Sequence, residues 1–274
     1  MATSTSTSYL NTPQAVDDFF TLTDNAGTNA GLTETNPFMT VSGDTITLDV
    51  LGNDLGGNAK KLVDVVFGAE RDVIRDSNLV NDLLRADTTA ATGTDGSANI
   101  SNGRVTFTMS PALKAAIDAL PAGEVKIVNL TYSIQLANGT FSFATAELKF
   151  VGVNDAATIT GTSTGSVTED NPAIASGQLT VTDGDTGQAS FVVASSLTTD
   201  WGTFTFNTTT GAWTFTIDNA ATQKLGAGDF ENVTLTVTSL DGTATQTITV
   251  TVNGVNDLAT ISGNDAGEVT EDDT

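Results

Sequence analysis

The segment VGVNDAATITGTSTGSVTED, residues 151–170, returns as NGVNDLATISGNDAGEVTED at residues 253–272. The two copies agree at 13 of 20 positions. A long fixed period of this kind marks a duplicated structural unit, and it restricts the chain to architectures made of like modules in series. A unit of about 100 residues is large enough to fold around its own core, and a chain of 274 residues has room for two such domains. A third copy has only begun at residue 257. A strand without the rest of its sandwich cannot bury its apolar face, so the sequence reads as a piece of a longer tandem array.

The strand pattern within the second unit is explicit. GTFTFN and AWTFTID form a hairpin in which Phe204 and Phe206 alternate on one strand and Trp213, Phe215 and Ile217 on the other. A second hairpin carries Val233, Leu235 and Val237, turns at Asp241-Gly242, and returns with Ile248, Val250 and Val252. ATITG, GQLTVTD and ASFVV add further strands. About seven short antiparallel strands in about 100 residues is the pattern of an immunoglobulin-like sandwich. The aromatic residues are read as core. The fold class expected is therefore all-β: tandem immunoglobulin/cadherin-like β-sandwiches, the first with a short helical insertion.

The first unit ends with the same hairpin, VKIVNLTYSIQL and TFSFATAELKFVGV around Asn138-Gly139. Before it, SPALKAAIDAL has a serine cap, a proline at the first helical position and Leu113 spaced to meet Ile117, which predicts a helix. A second helix is expected at 70–85. The Ser/Thr-rich start, 1–14, reads as a flexible tail.

Composition removes whole classes of chemistry. The chain has no Cys and no His, so thiol nucleophiles, Ser-His triads, soft zinc sites and disulfides are absent together. It carries 33 acidic against 10 basic residues, a net charge of −23, which argues against nucleic acid. Nine of the ten basic residues precede residue 151, leaving Lys224 alone in the remainder. The start has neither a basic nor an apolar signal region, and no apolar run approaches the length of a membrane span.

The acids concentrate at predicted strand ends: Asn154-Asp155, Glu169-Asp170, Asp183-Gly-Asp185 and Asp241 in the second unit, and Asn256-Asp257 and Glu271-Asp272 where the motif recurs. Turns gathered at one pole would bring several of them together near the junction with the preceding domain. Like charges so placed repel and raise one another's pKa, a cost that a hard cation removes. Calcium accepts six to eight oxygens from carboxylates, Asn side chains and carbonyls in flexible geometry, whereas magnesium keeps more of its water. Calcium is the cofactor expected. No EF-hand pattern is present.

GVNDAATITG, VTEDNP, LTVTDGD, GAWTFTIDNAATQKLGAGD and DGTATQTITVTVNGVND resemble the VCBS repeat, a module found in tandem in large bacterial surface adhesins and RTX-type exoproteins. The resemblance spans 153–256. The first unit, 15–152, looks like a divergent bacterial cadherin-like domain: AVDDFF stands where GVNDAA stands, TETNP at 33–37 where TEDNP stands, and DVLGND at 49–54 resembles that family's second acidic motif. This adds Asp17, Asp18, Glu34 and Asp54 to the candidate metal ligands and leaves 55–125 without a counterpart. Residues 257–274 are then the first strand of a truncated third repeat. The resemblance implies an extracellular, cell-surface protein exported by a type I system, with adjacent repeats of the same chain as its partners.

Three other functions compete. Basic residues of the 55–125 region, Lys60, Lys61, Arg71, Arg75, Arg85, Arg104 and Lys114, suggest a glycan- or envelope-binding domain, against the alternative that they pair with their own acids. Edge strands suggest self-assembly into fibres or a lattice. Paired carboxylates such as Glu169 and Asp170 would suit glycoside hydrolysis, but their recurrence in each repeat favours cation binding, and no enzyme is expected.

Overall fold

The computed structural model describes residues 15–25, 31–34, 36–55, 60–69, 84, 91–137, 139–171, 174–263, 265–269 and 271. The chain divides into two compact units, one of residues up to 157 together with 183–189, the other of 158–182 and 190 onward.

The first unit is a two-sheet sandwich. One sheet has the order β2-β1-β10-β9-β5, with β1 at Asp18–Asp24, β2 at Leu32–Glu34, β5 at Lys61–Phe67, β9 at Val125–Gln135 and β10 at Phe141–Val151. The other has the order β3-β4-β8-β7-β6, with β3 at Met39–Ser42, β4 at Thr45–Leu48, β6 at Ala91–Gly93, β7 at Gly96–Ser101 and β8 at Arg104–Met109. Alternation assigns the faces: along β8 Val105, Phe107 and Met109 are buried, and along β10 Ala144, Ala146, Leu148 and Phe150. These side chains form one core with Phe20, Leu22, Leu130 and Tyr132. The helix α1, Pro111–Asp118, forms as expected: the Leu113 N–H donates to Ser110 Oγ at 3.0 Å, Pro111 opens it, and Leu113 and Ile117 are buried.

The second unit is also two sheets. β11 (Thr158–Gly161), β13 (Ile174–Thr182), β15 (Ser196–Thr199), β16 (Gly202–Phe206) and β17 (Ala212–Ile217) lie in the order β11-β13-β17-β16-β15. β12 (Thr164–Thr168), β14 (Phe191–Val192), β18 (Phe230–Ser239) and β19 (Thr245–Asn253) lie in the order β12-β19-β18-β14. The tandem all-β sandwich architecture is thus observed. The expected aromatics are core: Phe204, Phe206, Trp213 and Phe215 are buried, with the Phe204 and Phe215 rings 4.7 Å apart. The Trp213 Nε1–H is satisfied by the Thr162 carbonyl at 2.7 Å. Two strands beyond the seven expected, β12 and β15, are short Ser/Thr-rich edge segments whose apolar alternation is too sparse to read.

Within the segment left without a counterpart in the first unit, residues 103–124 have one in the second. GRVTFTM (103–109) and GAWTFTI (211–217) are the same hairpin strand, and LPAGE (120–124) and LGAGD (225–229) the same turn. A short helix α2, Asn219–Thr222, stands between the second pair as α1 does between the first. The helix expected in the first unit is present as α1, 8 residues long against the 4 of α2 at the corresponding place in the second. The Gly of each GVND motif packs against that turn. A Cβ on Gly152 would lie 2.3 Å from the Leu120 carbonyl oxygen, and one on Gly254 2.5 Å from that of Gly226.

The helix expected at 70–85 lies outside the described residues apart from Leu84. The opening strand expected after residue 257 is not formed among the described residues, where Leu258, Ile261 and Val269 are more than 90% exposed. A strand gains no ladder hydrogen bonds without a neighbour to pair with.

Candidate metal-binding poles

Parallel pairing of β1 with β10 in the first unit, and of β12 with β19 in the second, positions the acids. β1 runs beside β10 with Thr23 opposite Val151, and β12 runs beside β19 with Thr168 opposite Asn253. Val151 and Asn253 both begin an xGVND motif. The next residue, Asp24 in the first unit and Glu169 in the second, is therefore brought to the same place beside that motif.

Glu169 is 1% exposed. Its N–H donates to the Asn253 carbonyl at 3.0 Å, and its Oε1 accepts from the Val255 N–H at 2.7 Å. Its Oε2 is buried without a hydrogen-bond partner. Asn256 Nδ2 donates to the Asp257 carbonyl at 3.1 Å, and Asn154 Nδ2 to the Asp155 carbonyl at 2.6 Å, so the two GVND turns share one geometry. Asp257 and Glu271 are exposed, and Asp272 lies outside the described residues.

Asp24, 5% exposed, accepts from the Asn25 N–H at 2.9 Å. Burial raises its pKa above the usual carboxylate value, and the charges of Asp118, Asp155 and Asp185 raise it further. Asp155 and the 183–185 loop meet because Thr158 pairs with Thr182. The Asp155 N–H donates to Asp185 Oδ2 at 2.9 Å, and the Asp185 N–H to Asp183 Oδ1 at 2.9 Å. The Thr186 N–H donates to the carbonyl of Ala119, just past α1, at 3.0 Å. Asp183 Oδ2 is buried without a partner. Four expected ligands thus come together in the first unit, Asn154, Asp155, Asp183 and Asp185, beside two acids the sequence reading passes over, Asp24 and Asp118.

At the opposite end of the first unit, Asp18 and Asp54 converge on Tyr132. Its hydroxyl lies 2.9 Å from Asp18 Oδ2 and 3.2 Å from Asp54 Oδ1, with the Val16 and Val50 carbonyls at 3.0 and 3.2 Å. One hydroxyl proton serves one of these oxygens at a time. Burial pushes Asp18 up to about 7, with the neighbouring Asp54 charge adding to it against the hydrogen bond from Tyr132. Asp54, 6% exposed, is also raised by burial; its Oδ1 accepts from the Val16 N–H at 2.7 Å and its Oδ2 has no partner. Asp17 Oδ1 accepts from the Thr145 N–H at 2.8 Å.

Other expected ligands stand apart. Glu34 is exposed at the end of β2, opposite Leu22, so the position equivalent to Glu169 belongs to Asp24 and not to Glu34. Asp170 is held by Asn219 and Gln223. Asp241 organises its own turn through Ser239 at 2.5 Å and Thr243. Glu169 sits where β19 ends, whereas Asp241 sits before β19 begins, so the acids of the second unit do not share one pole as expected.

Every donor at these poles is oxygen, and three buried carboxylate oxygens, on Glu169, Asp54 and Asp183, have no hydrogen-bond partner. That chemistry fits a hard divalent cation. Among the described residues no three acidic side chains are close enough to hold an ion by themselves, so carbonyls, Asn oxygens or water would complete the shell. Three of the seven basic residues of the 55–125 region are committed locally, and Lys61 is exposed at the start of β5. Lys60 donates to the Leu51 and Asp54 carbonyls, Arg104 pairs with Asp49 at 3.0 Å and Lys114 with Asp44 at 2.9 Å; Arg71, Arg75 and Arg85 lie outside the described residues. Among the described residues, no helix is long and apolar enough to cross a membrane.

No family model matches the chain, and no curated protein matches it. Solved structures of cadherin extracellular domains do. A protocadherin gammaB7 EC3–6 cis-dimer structure is 16% identical at a TM-score of 0.39, over 90% of this chain and 48% of that one. Mouse cadherin-23 EC22–24 is 12% identical at 0.34, over 89% and 67%. Mouse clustered PcdhgC3 EC1–3 is 14% identical at 0.35, over 90% and 68%. The chain spans half the length of a fourth, PcdhgB3 EC1–4.

Proposed function

We propose that this chain is a non-enzymatic structural module of an extracellular adhesion protein, with tandem sandwiches stiffened by calcium at domain junctions. The observation that carries the reading is Glu169, buried beside the GVND segment with one carboxylate oxygen lacking a hydrogen-bond partner, and matched by Asp24 beside the equivalent segment of the first unit. A charged group in such a position is unfavourable unless a counter-ion is supplied.

In this reading Glu169 with Asn256 and Asp257 holds one ion, and Asp24, Asn154, Asp155, Asp183 and Asp185 another. Asp18 and Asp54 form a third candidate site. Calcium would supply the positive charge that offsets the repulsion among these carboxylates. The resemblance of 153–256 to the VCBS repeat supports a bacterial surface adhesin and type I export. The local pairing of Lys60, Arg104 and Lys114 weighs against a glycan-binding basic patch.

Orientation across small interdomain contacts is loose by default. Small-angle scattering with calcium and with chelator tests the stiffening: the account expects a narrower distribution of dimensions with calcium, and identical profiles would remove it.

A further inference from the structure

Asp170 stands one residue beyond Glu169, yet its carboxylate is engaged with α2. Its φ is +59°, a left-handed conformation that residues other than glycine seldom adopt unless local bonds favour it. Those bonds are present. The Asp170 N–H donates to Asn219 Oδ1 at 2.7 Å, Asn219 Nδ2 donates back to Asp170 Oδ1 at 3.0 Å, and Gln223 Nε2 donates to the same oxygen at 3.0 Å. The amides, Asn219 foremost, hold the Asp170 carboxyl below its ordinary pKa. The platform they stand on is itself fixed, because Asp218 Oδ1 accepts from the Ala220 and Ala221 N–H groups that open α2.

The same turn decides where Glu169 points. With Asp170 left-handed and tied to α2, Glu169 is directed inward, its Oε1 on the Val255 N–H and its Oε2 without a partner. We propose that Asp170, Asn219 and Gln223 form a clamp that positions the Glu169 carboxylate for its cation, with Asp170 as a positioning residue and not a ligand. This rests on the reading of Glu169 as a cation ligand. Groups behind a metal ligand typically change affinity by about 10–100-fold when removed.

The test uses the full chain and calcium itself, by titration calorimetry, with amide exchange of Val255 followed by NMR in chelator. An Asn219→Ala/Gln223→Ala double variant removes the clamp without touching a carboxylate. It is expected to weaken the site lost in Glu169→Gln by about 10-fold and to speed Val255 exchange before any metal is added. Asp170→Asn keeps an acceptor oxygen and tolerates the left-handed turn, so it should stay near the parent in both readouts. If the double variant matches the parent in both, or Asp170→Asn loses as much affinity as Glu169→Gln, the clamp is wrong. If Glu169→Gln itself binds calcium as the parent does, the cation reading of this pole fails, and the clamp proposal falls with it. That outcome is distinguishable from loss of the site in Glu169→Gln with retention in the double variant.

Discussion

Asp24 and Glu169 occupy the same position in the two units: each follows a Thr paired in parallel with the first residue of an xGVND motif, Thr23 with Val151 and Thr168 with Asn253. Both side chains are buried. The equivalence makes Asp24→Asn a test with two opposite signs. Without calcium, removing a buried charge that faces Asp118, Asp155 and Asp185 should raise stability by about 1 kcal/mol, or about 2–4 °C for a unit of this size. With calcium present, the variant should gain less on metal addition than the parent. Paired melting curves check both.

Asp18 predicts a pH dependence. Its folded pKa is raised to about 7 from 3.8, so the native state holds the proton more tightly than the unfolded chain. That stabilisation is fully present below the unfolded value and is lost as pH rises through about 7. In chelator, stability should therefore fall between pH 4 and 7 by an amount that Asp18→Asn abolishes. Urea titrations of both proteins at pH 4.5 and pH 7 check this, and parallel pH slopes would contradict it.

The glycines of the GVND motif are required by close approach. Gly152→Ala and Gly254→Ala each drive a Cβ onto a backbone carbonyl, which cannot rotate away. Each is expected to cost about 1–3 kcal/mol, measured as a lower urea midpoint.

Trp213 anchors the second core and is 1% exposed. Trp213→Ala removes a large buried ring and leaves Thr162 without its donor, at an expected cost of about 3–5 kcal/mol. Loss of the most cooperative part of the denaturation curve checks it.

Local chemistry made much of this fold legible. The hairpins ending in Asp241-Gly242 and the Ser110-Pro111 helix start announce themselves within a dozen residues, because alternation, turns and caps are short-range properties. Non-local pairing was harder to see. Matching TETNP to TEDNP places Glu34 opposite Glu169, since the text is alike, whereas the parallel pairing of β1 with β10 bridges more than 120 residues and brings Asp24 there instead. A weaker signal existed: Leu22-Thr-Asp24 and Val167-Thr-Glu169 share an inward apolar residue, a Thr and an acid. The likeness of 103–124 to 211–229 was hidden because α1 is longer than α2 and the shared tokens are brief. Asp170 reads as a ligand from its strand-end position beside Glu169 and the recurrence of VTED; the amides that bind its carboxylate, on Asn219 and Gln223, lie 49 and 53 residues further on.

Calcium titration calorimetry on the chelator-stripped chain tests the central claim most directly. Saturable binding, much weaker with magnesium and reduced in stoichiometry by Glu169→Gln, is the predicted result. An absence of binding heat at millimolar calcium, with an unchanged melting temperature, would contradict it.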